Sequence, residues 1–153
     1  MQVKSGIIEA HIIRRKDEVT EFLLLKRAES EIYPGLWQMV SGRINQDEPA
    51  YMAAIRELRE ETGLSPDKMW VVPTINSFYY PKDDSVTIIP VFLFEVPYES
   101  TVTLSDEHTE YMWAEAGAAS ERLAWPGQRN AVSIIAEYIS ARISFLNFVE
   151  ITL

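Results

Sequence analysis

The sequence lacks cysteine, long apolar runs and an excess of basic residues. Without cysteine, neither a disulfide framework nor a thiolate metal site can form. No apolar run reaches the roughly 18 residues that a membrane-spanning helix needs. The first residues also lack the basic stretch and apolar core of a secretory signal. A protein with no membrane contact and a cytoplasmic location is therefore the expectation.

Basic residues are scarce: 14 Lys and Arg face 23 Asp and Glu, which gives a net charge of −9. Binding to a nucleic acid polymer needs clustered basic side chains, so this class of partner is not expected. A small anionic substrate remains compatible with the charge if some of the carboxylates hold divalent cations. The simpler interpretation of the surplus is that it keeps the protein soluble.

The 153 residues show no repeat, linker or low-complexity tract, so we expect one domain covering residues 1–153. Apolar patterns of strand length, bounded by turn residues, predict strands. These cover 6–13, 21–26, 36–40, 70–80, 86–96 and 110–114. Residues 14–18 and 81–85 are expected to form turns and 28–35 a loop, and Ser41-Gly42 is expected to break the chain.

Three segments are predicted to be helical. The first begins near Asp47, which can cap it, has Pro49 in its first turn and ends at Gly63. The others cover 116–123 and 128–145, and Val132, Ile135, Ile139 and Ile143 are inner positions of the last. The order of elements predicts a mixed α/β domain with a sheet between helical layers.

The first predicted helix carries three carboxylates on one face. Glu57, Glu60 and Glu61 are spaced i, i+3 and i+4, which places them within one turn of each other. Like charges this close destabilise a helix unless a cation offsets them, and Mg²⁺ or Mn²⁺ prefers carboxylate oxygen. The competing interpretation is a solvated face, the more common role of Glu and Arg runs.

Residues around this helix favour the metal interpretation. Arg56 and Glu48 are eight residues apart, so the guanidinium can pair with Glu48 or hold a metal carboxylate. Gly42 precedes the helix, and a glycine there lets the backbone approach a metal or a phosphate. Apolar and small residues on the opposite face would pack against the sheet.

The segment GRINQDEPAYMAAIRELREETGL, residues 42–64, resembles the Nudix box at every fixed position. The resemblance implies an α/β/α sandwich with a mixed sheet and a Mg²⁺-dependent hydrolase that acts on nucleoside diphosphate linkages. In the family pattern the metal ligands match Glu57, Glu60 and Glu61, often with the carbonyl of Gly42. Arg56 and Glu48 match the residues that orient the loop and helix.

A carboxylate is expected to take a proton from the attacking water. Glu60, within the cluster, is one candidate. Glu107 is the other and the favoured one, as metal ligand or as base, because family members often supply a further Glu from such a loop. A surface role for Glu107 is the alternative, and His108 is expected to be an exposed neighbour.

Outside the box, three segments resemble bacterial dihydroneopterin triphosphate and dATP pyrophosphohydrolases. They are the Trp37-Gln38 segment, the segment 105–108, and residues 125–131, where Pro126-Gly127 departs from that group's Trp-Ser-Asn pattern. The resemblance implies substrate contacts from Lys4, Arg27, Ser41 and Gly127. Aromatic side chains could stack on a heterocycle, and the candidates are Trp37, Phe78, Tyr79 and Tyr80. Solvated strand ends and core packing are the alternatives.

The leading hypothesis is hydrolysis of a triphosphate substrate, dihydroneopterin triphosphate or a (d)NTP, with release of pyrophosphate. The alternatives are a hydrolase of diadenosine polyphosphates or nucleotide sugars, and a Nudix-fold ligand sensor without turnover. Apolar residues near the C-terminus are expected to pack on the domain or on a second copy of the chain in a homodimer. They are Phe145, Phe148, Val149 and Ile151.

Overall fold

Nine strands, three α-helices and one 3₁₀ helix form the chain, and the computed structural model describes all of residues 1–153. The strands are β1 (Gln2–Ser5), β2 (Ile7–Lys16), β3 (Val19–Arg27), β4 (Trp37–Gln38), β5 (Val40–Arg43), β6 (Lys68–Tyr80), β7 (Ser85–Glu95), β8 (His108–Ala114) and β9 (Glu150–Ile151). The helices are α1 (Ala50–Thr62), α2 (Ala116–Arg122), α3 (Pro126–Ala141) and the 3₁₀ helix (Ile143–Phe148).

All nine strands belong to one mixed sheet, whose main path has the order β4-β3-β2-β7-β6-β9. The central strand β2 is parallel to β7 and antiparallel to β3 and β5. Strand β5 pairs with the first half of β2, where Ser41 lies opposite Glu9 and Gly42 opposite Ile8. Because successive strand residues face opposite sides, Ser41 and Gly42 point to different faces of the sheet.

Helices cover both faces of the sheet and bury two separate apolar clusters. Helix α1 packs on one face, and helices α2 and α3 pack on the other. Alternate residues of β2 supply both clusters, Ile12 to the first and Ile13 to the second. The predicted α/β/α sandwich with a mixed sheet is therefore confirmed.

Helix α1 is anchored by its small and apolar residues. Ala53, Ala54, Leu58 and Thr62 are fully buried, as the apolar face of the pattern predicts. The helix ends at Gly63, which has a φ of 69° and donates its N–H to the carbonyl of Arg59. A left-handed residue suits glycine, so this predicted boundary is confirmed.

The predicted start of α1 is wrong in detail. Pro49 is the N-cap residue and not part of the first turn, and no side chain caps the helix. Asp47 has a φ of 61° and belongs to the loop before the helix. Because proline is extended at the cap position, the side chain of Asp47 is two residues too early to cap the helix.

The predicted strand 36–40 and the break at Ser41-Gly42 are also wrong. The chain forms two short strands, β4 and β5, separated at Met39, and both Ser41 and Gly42 lie inside β5. Glycine does not interrupt this strand because β5 is held by its antiparallel pairing with β2. The predicted turn 14–18 is shorter than expected, since only Asp17 and Glu18 connect β2 to β3.

The C-terminal helix is shorter than predicted, and two edge strands were not predicted. Helix α3 ends at Ala141, and Ile143, expected to be an inner position, is half exposed. The 3₁₀ helix turns the chain so that β9 can pair with Met69 and Trp70 of β6. Phe148 is 84% exposed. The homodimer stays a prediction.

The longest helix has 16 residues, and no helix combines the length and hydropathy required to cross a bilayer.

Leu58→Ala tests how α1 is anchored. Leu58 is fully buried in the cluster between α1 and the sheet. Truncation removes apolar contacts and leaves a cavity, so we expect a loss of about 2–5 kcal/mol in the free energy of unfolding. Urea denaturation measures it. Arg59→Ala, at an exposed position of the same helix, is the matched control and should cost less than about 0.5 kcal/mol. Equal effects of the two variants would contradict the packing described.

Candidate metal centre

Arg56 organises the exposed side of helix α1. Its guanidinium donates to both carboxylate oxygens of Glu48, at 2.9 and 3.0 Å. It also donates to Glu57 at 2.6 Å and to Glu60 at 3.2 Å. A further hydrogen bond, 2.7 Å long, reaches the carbonyl oxygen of Arg43 on β5. The Arg56 guanidinium thus connects the helix, the preceding loop and the edge strand by hydrogen bonds.

The carboxylates beside Arg56 have different environments. Hydrogen bonds from the Arg56 guanidinium and the Asn45 N–H lower the pKa of Glu48. Burial raises the pKa of Glu57, and this effect outweighs its contact with Arg56. Glu48 is therefore held as an anion, whereas Glu57 is pushed towards protonation unless further positive charge is present.

Glu61 is the most perturbed acidic group in the chain. It is 2% exposed, and burial, followed by the charges of Glu107 and Glu57, raises its pKa to about 9. Its buried Oε2 atom has no hydrogen-bond partner. A buried carboxylate without a partner is costly, so this position calls for a cation.

His108 lies beside Glu61, which corrects the expectation of an exposed residue. It is 5% exposed because β8 pairs with β3 and brings His108 opposite Arg27. Its Nδ1 atom is 4.0 Å from Oε2 of Glu61 and is also buried without a partner. Burial, with a smaller effect of the Arg27 charge, lowers its pKa to about 4, so the ring is neutral near pH 7.

Glu107 completes a group whose chemistry fits a metal ion. Donor atoms of Glu61, Glu107 and His108 lie within 4.8 Å of one another. The Glu107 carbonyl accepts a 2.9 Å hydrogen bond from the Ala28 N–H, which holds this loop against the end of β3. Oxygen-rich groups of this kind suit hard divalent cations. The unpartnered Glu61 oxygen and the surplus of negative charge show that these residues fit a divalent cation.

Gly42 provides the space in which Glu57 lies. A Cβ atom built at Gly42 would lie within 2.4 Å of several Glu57 side-chain atoms, the nearest of them at 2.1 Å. No side chain larger than hydrogen fits unless Glu57 moves. The structure therefore brings together the predicted cluster: Gly42, Glu48, Arg56, Glu57, Glu60, Glu61 and Glu107.

Arg27, a predicted substrate contact, lies near this cluster. Its positive charge acts to lower the pKa of both Glu61 and His108. It donates to Gln38 at 3.1 Å and is 3.5 Å from a Glu31 carboxylate oxygen. Its predicted contact with substrate stays a prediction.

The other predicted substrate residues lie mainly on the opposite face of the sheet. Lys4 and Phe78 flank Thr87 in the β1-β7-β6 register, and Tyr80 follows Phe78 two residues later on the same face. Phe78 and Tyr80 are each close to half exposed. Lys4 forms an ion pair with Asp83. Ser41 faces the same side because it lies opposite Glu9, whose side chain contacts α3.

Trp37 and Gly127 have structural contacts. Trp37 is partly buried against the cluster under α2 and α3, and the Arg122 guanidinium lies 5.8 Å from its ring. A Cβ built at Gly127 would lie 1.9 Å from the amide oxygen of Asn76, so glycine is required where α3 approaches β6. Their proposed contacts with substrate stay predictions.

A buried polar group next to Gly127 was not predicted. Glu9 is 5% exposed and accepts two 3.1 Å hydrogen bonds from Asn76 and one of 3.3 Å from Gln128. Burial raises the pKa of Glu9 despite these bonds. The signal in the sequence was a charged residue inside the apolar strand IIEAHII. A charge in such a strand needs partners when buried.

Comparison with known proteins identifies the family. The protein-family model for the NUDIX domain matches residues 8–135 of this chain. This range includes α1, the Arg56 network, Glu107 and most of the sheet. The chain belongs to the Nudix hydrolase family, as the sequence predicted.

The curated proteins that are similar in sequence are named for different activities. The chain is 31% identical over 111 residues to a mouse asymmetrical bis(5'-nucleosyl)-tetraphosphatase, covering 70% of this chain and 73% of the relative. It is 25% identical over 137 residues to the CTP pyrophosphohydrolase of Escherichia coli K12, with coverages of 88% and 92%. An octanoyltransferase of Myxococcus xanthus is 30% identical over 128 residues, which are 79% of this chain and 34% of that protein. The chain thus spans about a third of that last relative.

Solved structures share the fold. An Ap4A hydrolase of Caenorhabditis elegans has a TM-score of 0.74 at 20% identity, covering 92% of this chain and 98% of that one. The dihydroneopterin triphosphate pyrophosphohydrolase of E. coli has a TM-score of 0.69 at 23% identity, with coverages of 88% and 95%. At these identities the likeness concerns the fold.

Gly42→Ala tests the packing of Glu57. The added methyl group occupies the space of the Glu57 side chain, so we expect Glu57 to move and the affinity for a divalent cation to fall by about tenfold or more. Titration with Mn²⁺ followed by calorimetry measures the affinity. Gly117→Ala is the matched control, because nothing lies within 4 Å of a Cβ there. Unchanged cation affinity in Gly42→Ala would show that the position of Glu57 is not critical.

Glu61→Gln tests the cost of the buried carboxyl group. The pKa of Glu61 is raised from 4.5 to about 9, so the unfolded chain releases this proton at lower pH than the folded chain. Stability without metal therefore falls as the pH rises from about 4.5 towards 9. Glutamine removes this loss. We expect the melting temperature of metal-free Glu61→Gln to exceed that of the parent by at least about 3 °C at pH 8, and by little at pH 4.5.

Differential scanning calorimetry in the presence of a chelator makes this measurement. Glu121→Gln is the control, since Glu121 is exposed on α2. A variant that is less stable than the parent at pH 8 would mean that Glu61 is not strained without metal.

Proposed function

We propose that the protein hydrolyses a diphosphate linkage in a nucleotide-like substrate with the help of a divalent cation, Mg²⁺ or Mn²⁺. The observation that carries this proposal is the buried Oε2 atom of Glu61, which has no hydrogen-bond partner and lies near the negative charges of Glu107 and Glu57. The retention of every box carboxylate argues against a ligand sensor without turnover.

The carboxylates of Glu57, Glu60 and Glu61, with the carbonyl of Gly42, would hold the cation. A bound divalent cation supplies charge neutralisation at phosphoryl oxygens and lowers the pKa of water. Arg56 and Glu48 keep α1 fixed against β5, which preserves the relative positions of the carboxylates. These two residues act by positioning and not by contact with the reacting atoms.

Glu107 is the proposed general base. Its side chain is exposed in the loop before β8 and close enough to Glu61 to raise the pKa of that residue. Glu60 is the weaker candidate, because its Oε2 atom already accepts a hydrogen bond from Arg56. A base must be free to accept a proton from water, and Glu107 has no side-chain hydrogen bond that prevents this.

The preferred substrate class is a triphosphate, dihydroneopterin triphosphate or a (d)NTP, cleaved with release of pyrophosphate. The polyphosphate would lie between the carboxylates and Arg27. The heterocycle would extend past Ser41 to the other face of the sheet, where Phe78 and Tyr80 are exposed. The relative named CTP pyrophosphohydrolase is in keeping with this class. A dinucleoside tetraphosphate is the second candidate, because the mouse relative bears that activity in its name.

Glu57→Gln and Glu61→Gln test the catalytic assignment. Both variants keep the shape of the side chain and remove a charge that holds the cation. We expect kcat/KM for cation-dependent hydrolysis to fall at least about a hundredfold, while circular dichroism shows an intact fold. Glu121→Gln should retain full activity. If both site variants hydrolyse as fast as the parent protein, the assignment is wrong.

A substrate panel then separates the classes. It contains the four deoxynucleoside triphosphates, CTP, dihydroneopterin triphosphate, diadenosine tetraphosphate and a nucleotide sugar, each with Mg²⁺ and with Mn²⁺. Pyrophosphate and phosphate are measured separately. Release of pyrophosphate from a triphosphate is expected, and its absence from all of them would overturn the preferred class.

A further inference from the structure

A chain of polar side chains runs from Arg27 to Glu61 through Gln38 and His108. Arg27 Nη1 is 3.1 Å from Gln38 Oε1, and Gln38 Nε2 is 3.0 Å from His108 Nε2. His108 Nδ1 in turn faces Oε2 of Glu61 at 4.0 Å. Strand β3 brings these residues together, because it pairs with β4 on one side and with β8 on the other.

The hydrogen-bond directions along this chain are determined by Arg27. A guanidinium can only donate, so the Gln38 atom facing it must be the carbonyl oxygen. The Gln38 amino group then faces His108 and can only donate. His108 Nε2 must therefore accept, and a neutral imidazole that accepts at Nε2 has its single hydrogen at Nδ1.

We propose that Gln38 is a positioning residue that holds His108 in its Nδ1–H form, so that His108 donates to Glu61 and orients that carboxylate for the cation. Two buried atoms without partners, His108 Nδ1 and Glu61 Oε2, face each other at the end of the chain. A small rotation of either side chain converts their 4.0 Å separation into a hydrogen bond. The consequence for the cation rests on the proposed function, whereas the position of the hydrogen does not.

The competing role for His108 is direct ligation of the cation through Nδ1, in the group with Glu61 and Glu107. A ligating nitrogen carries no hydrogen, so the hydrogen would have to be on Nε2. It would then point at the amino group of Gln38. Reversing the Gln38 amide would relieve that conflict but would place its amino group against the Arg27 guanidinium, another donor. The network therefore disfavours direct ligation.

The test observes the imidazole directly in the metal-free protein. Two-bond ¹H–¹⁵N correlation spectra distinguish a protonated from an unprotonated ring nitrogen. Only two histidines, His11 and His108, contribute signals, and His108→Asn assigns them. At pH 7.5 we expect the hydrogen of His108 on Nδ1 in the parent protein. Finding it on Nε2 would overturn the proposal and support direct ligation.

Gln38→Glu reverses the last step of the chain. A carboxylate still accepts from Arg27 but can only accept from His108, so the hydrogen should move to Nε2. Glu61 then loses its donor, and we expect the dissociation constant for Mn²⁺, measured by calorimetry, to rise about tenfold. The added negative charge alone would tighten cation binding, so the two effects have opposite signs. Gln2→Glu makes the same chemical change on exposed β1 and is the matched control.

The outcomes separate the two proposals. An unchanged His108 signal or tighter Mn²⁺ binding in Gln38→Glu overturns the positioning role. If the parent has the hydrogen on Nδ1 but binds no divalent cation, the proposed function fails while the hydrogen-bond chain stands. Gln38→Met, which has a similar length and no amide, should give a mixture of the two imidazole forms, and a pure Nδ1–H form would show that Gln38 is not the determinant.

Discussion

The hydrogen bonds of Arg56 connect the parts of the site that must keep fixed distances. Its guanidinium reaches the loop at Glu48, the helix at Glu57 and Glu60, and the edge strand at the Arg43 carbonyl. Without the Arg56 guanidinium, a helix with three carboxylates on one face would carry unopposed like charges. Its contact with β5 also keeps Gly42 against Glu57, where a Cβ atom on the strand would collide with the side chain of the helix.

Arg56 offsets only the outer carboxylates, and the inner part of the site retains an imbalance of charge. Glu61 is buried against the sheet beside a neutral His108, so its charged form lacks both water and a positive partner. A charged carboxylate in this position lowers the stability of the metal-free protein and raises its affinity for a cation. The same burial that strains the metal-free protein therefore favours cation binding.

In the proposed function, the two faces of the sheet have different roles. Helix α1 presents carboxylates at one face, and Glu9, Asn76 and Phe78 lie towards α3 at the other. Strand β5 joins the two faces because Ser41 and Gly42 are neighbours that point in opposite directions. Under that proposal, substitutions on the α3 face would alter the choice of substrate and leave the carboxylates of α1 in place.

Short-range patterns were sufficient to predict the box and most of the elements. The i, i+3, i+4 spacing of Glu57, Glu60 and Glu61 and the helix end at Gly63 depend on helix geometry alone, so local sequence determines them. Glu107 was found only because a family resemblance was available. The edge strands β1 and β9 were missed because they are short and mostly exposed, with little apolar pattern.

Tertiary structure decided which distant polar side chains meet. Glu9 is 67 residues from Asn76 and 119 from Gln128, and Gln38 is 70 from His108. Such contacts depend on the strand register and on the face of the sheet that each residue occupies. A register slip of one residue would move the side chains of the strand to the opposite face. The sequence by itself determined the carboxylate helix and therefore the class of bond that we propose is cut. Glu61 and His108 become buried only when β3, β4 and β8 pair. This burial leaves the Glu61 carboxylate without a partner, which is why the position favours a cation.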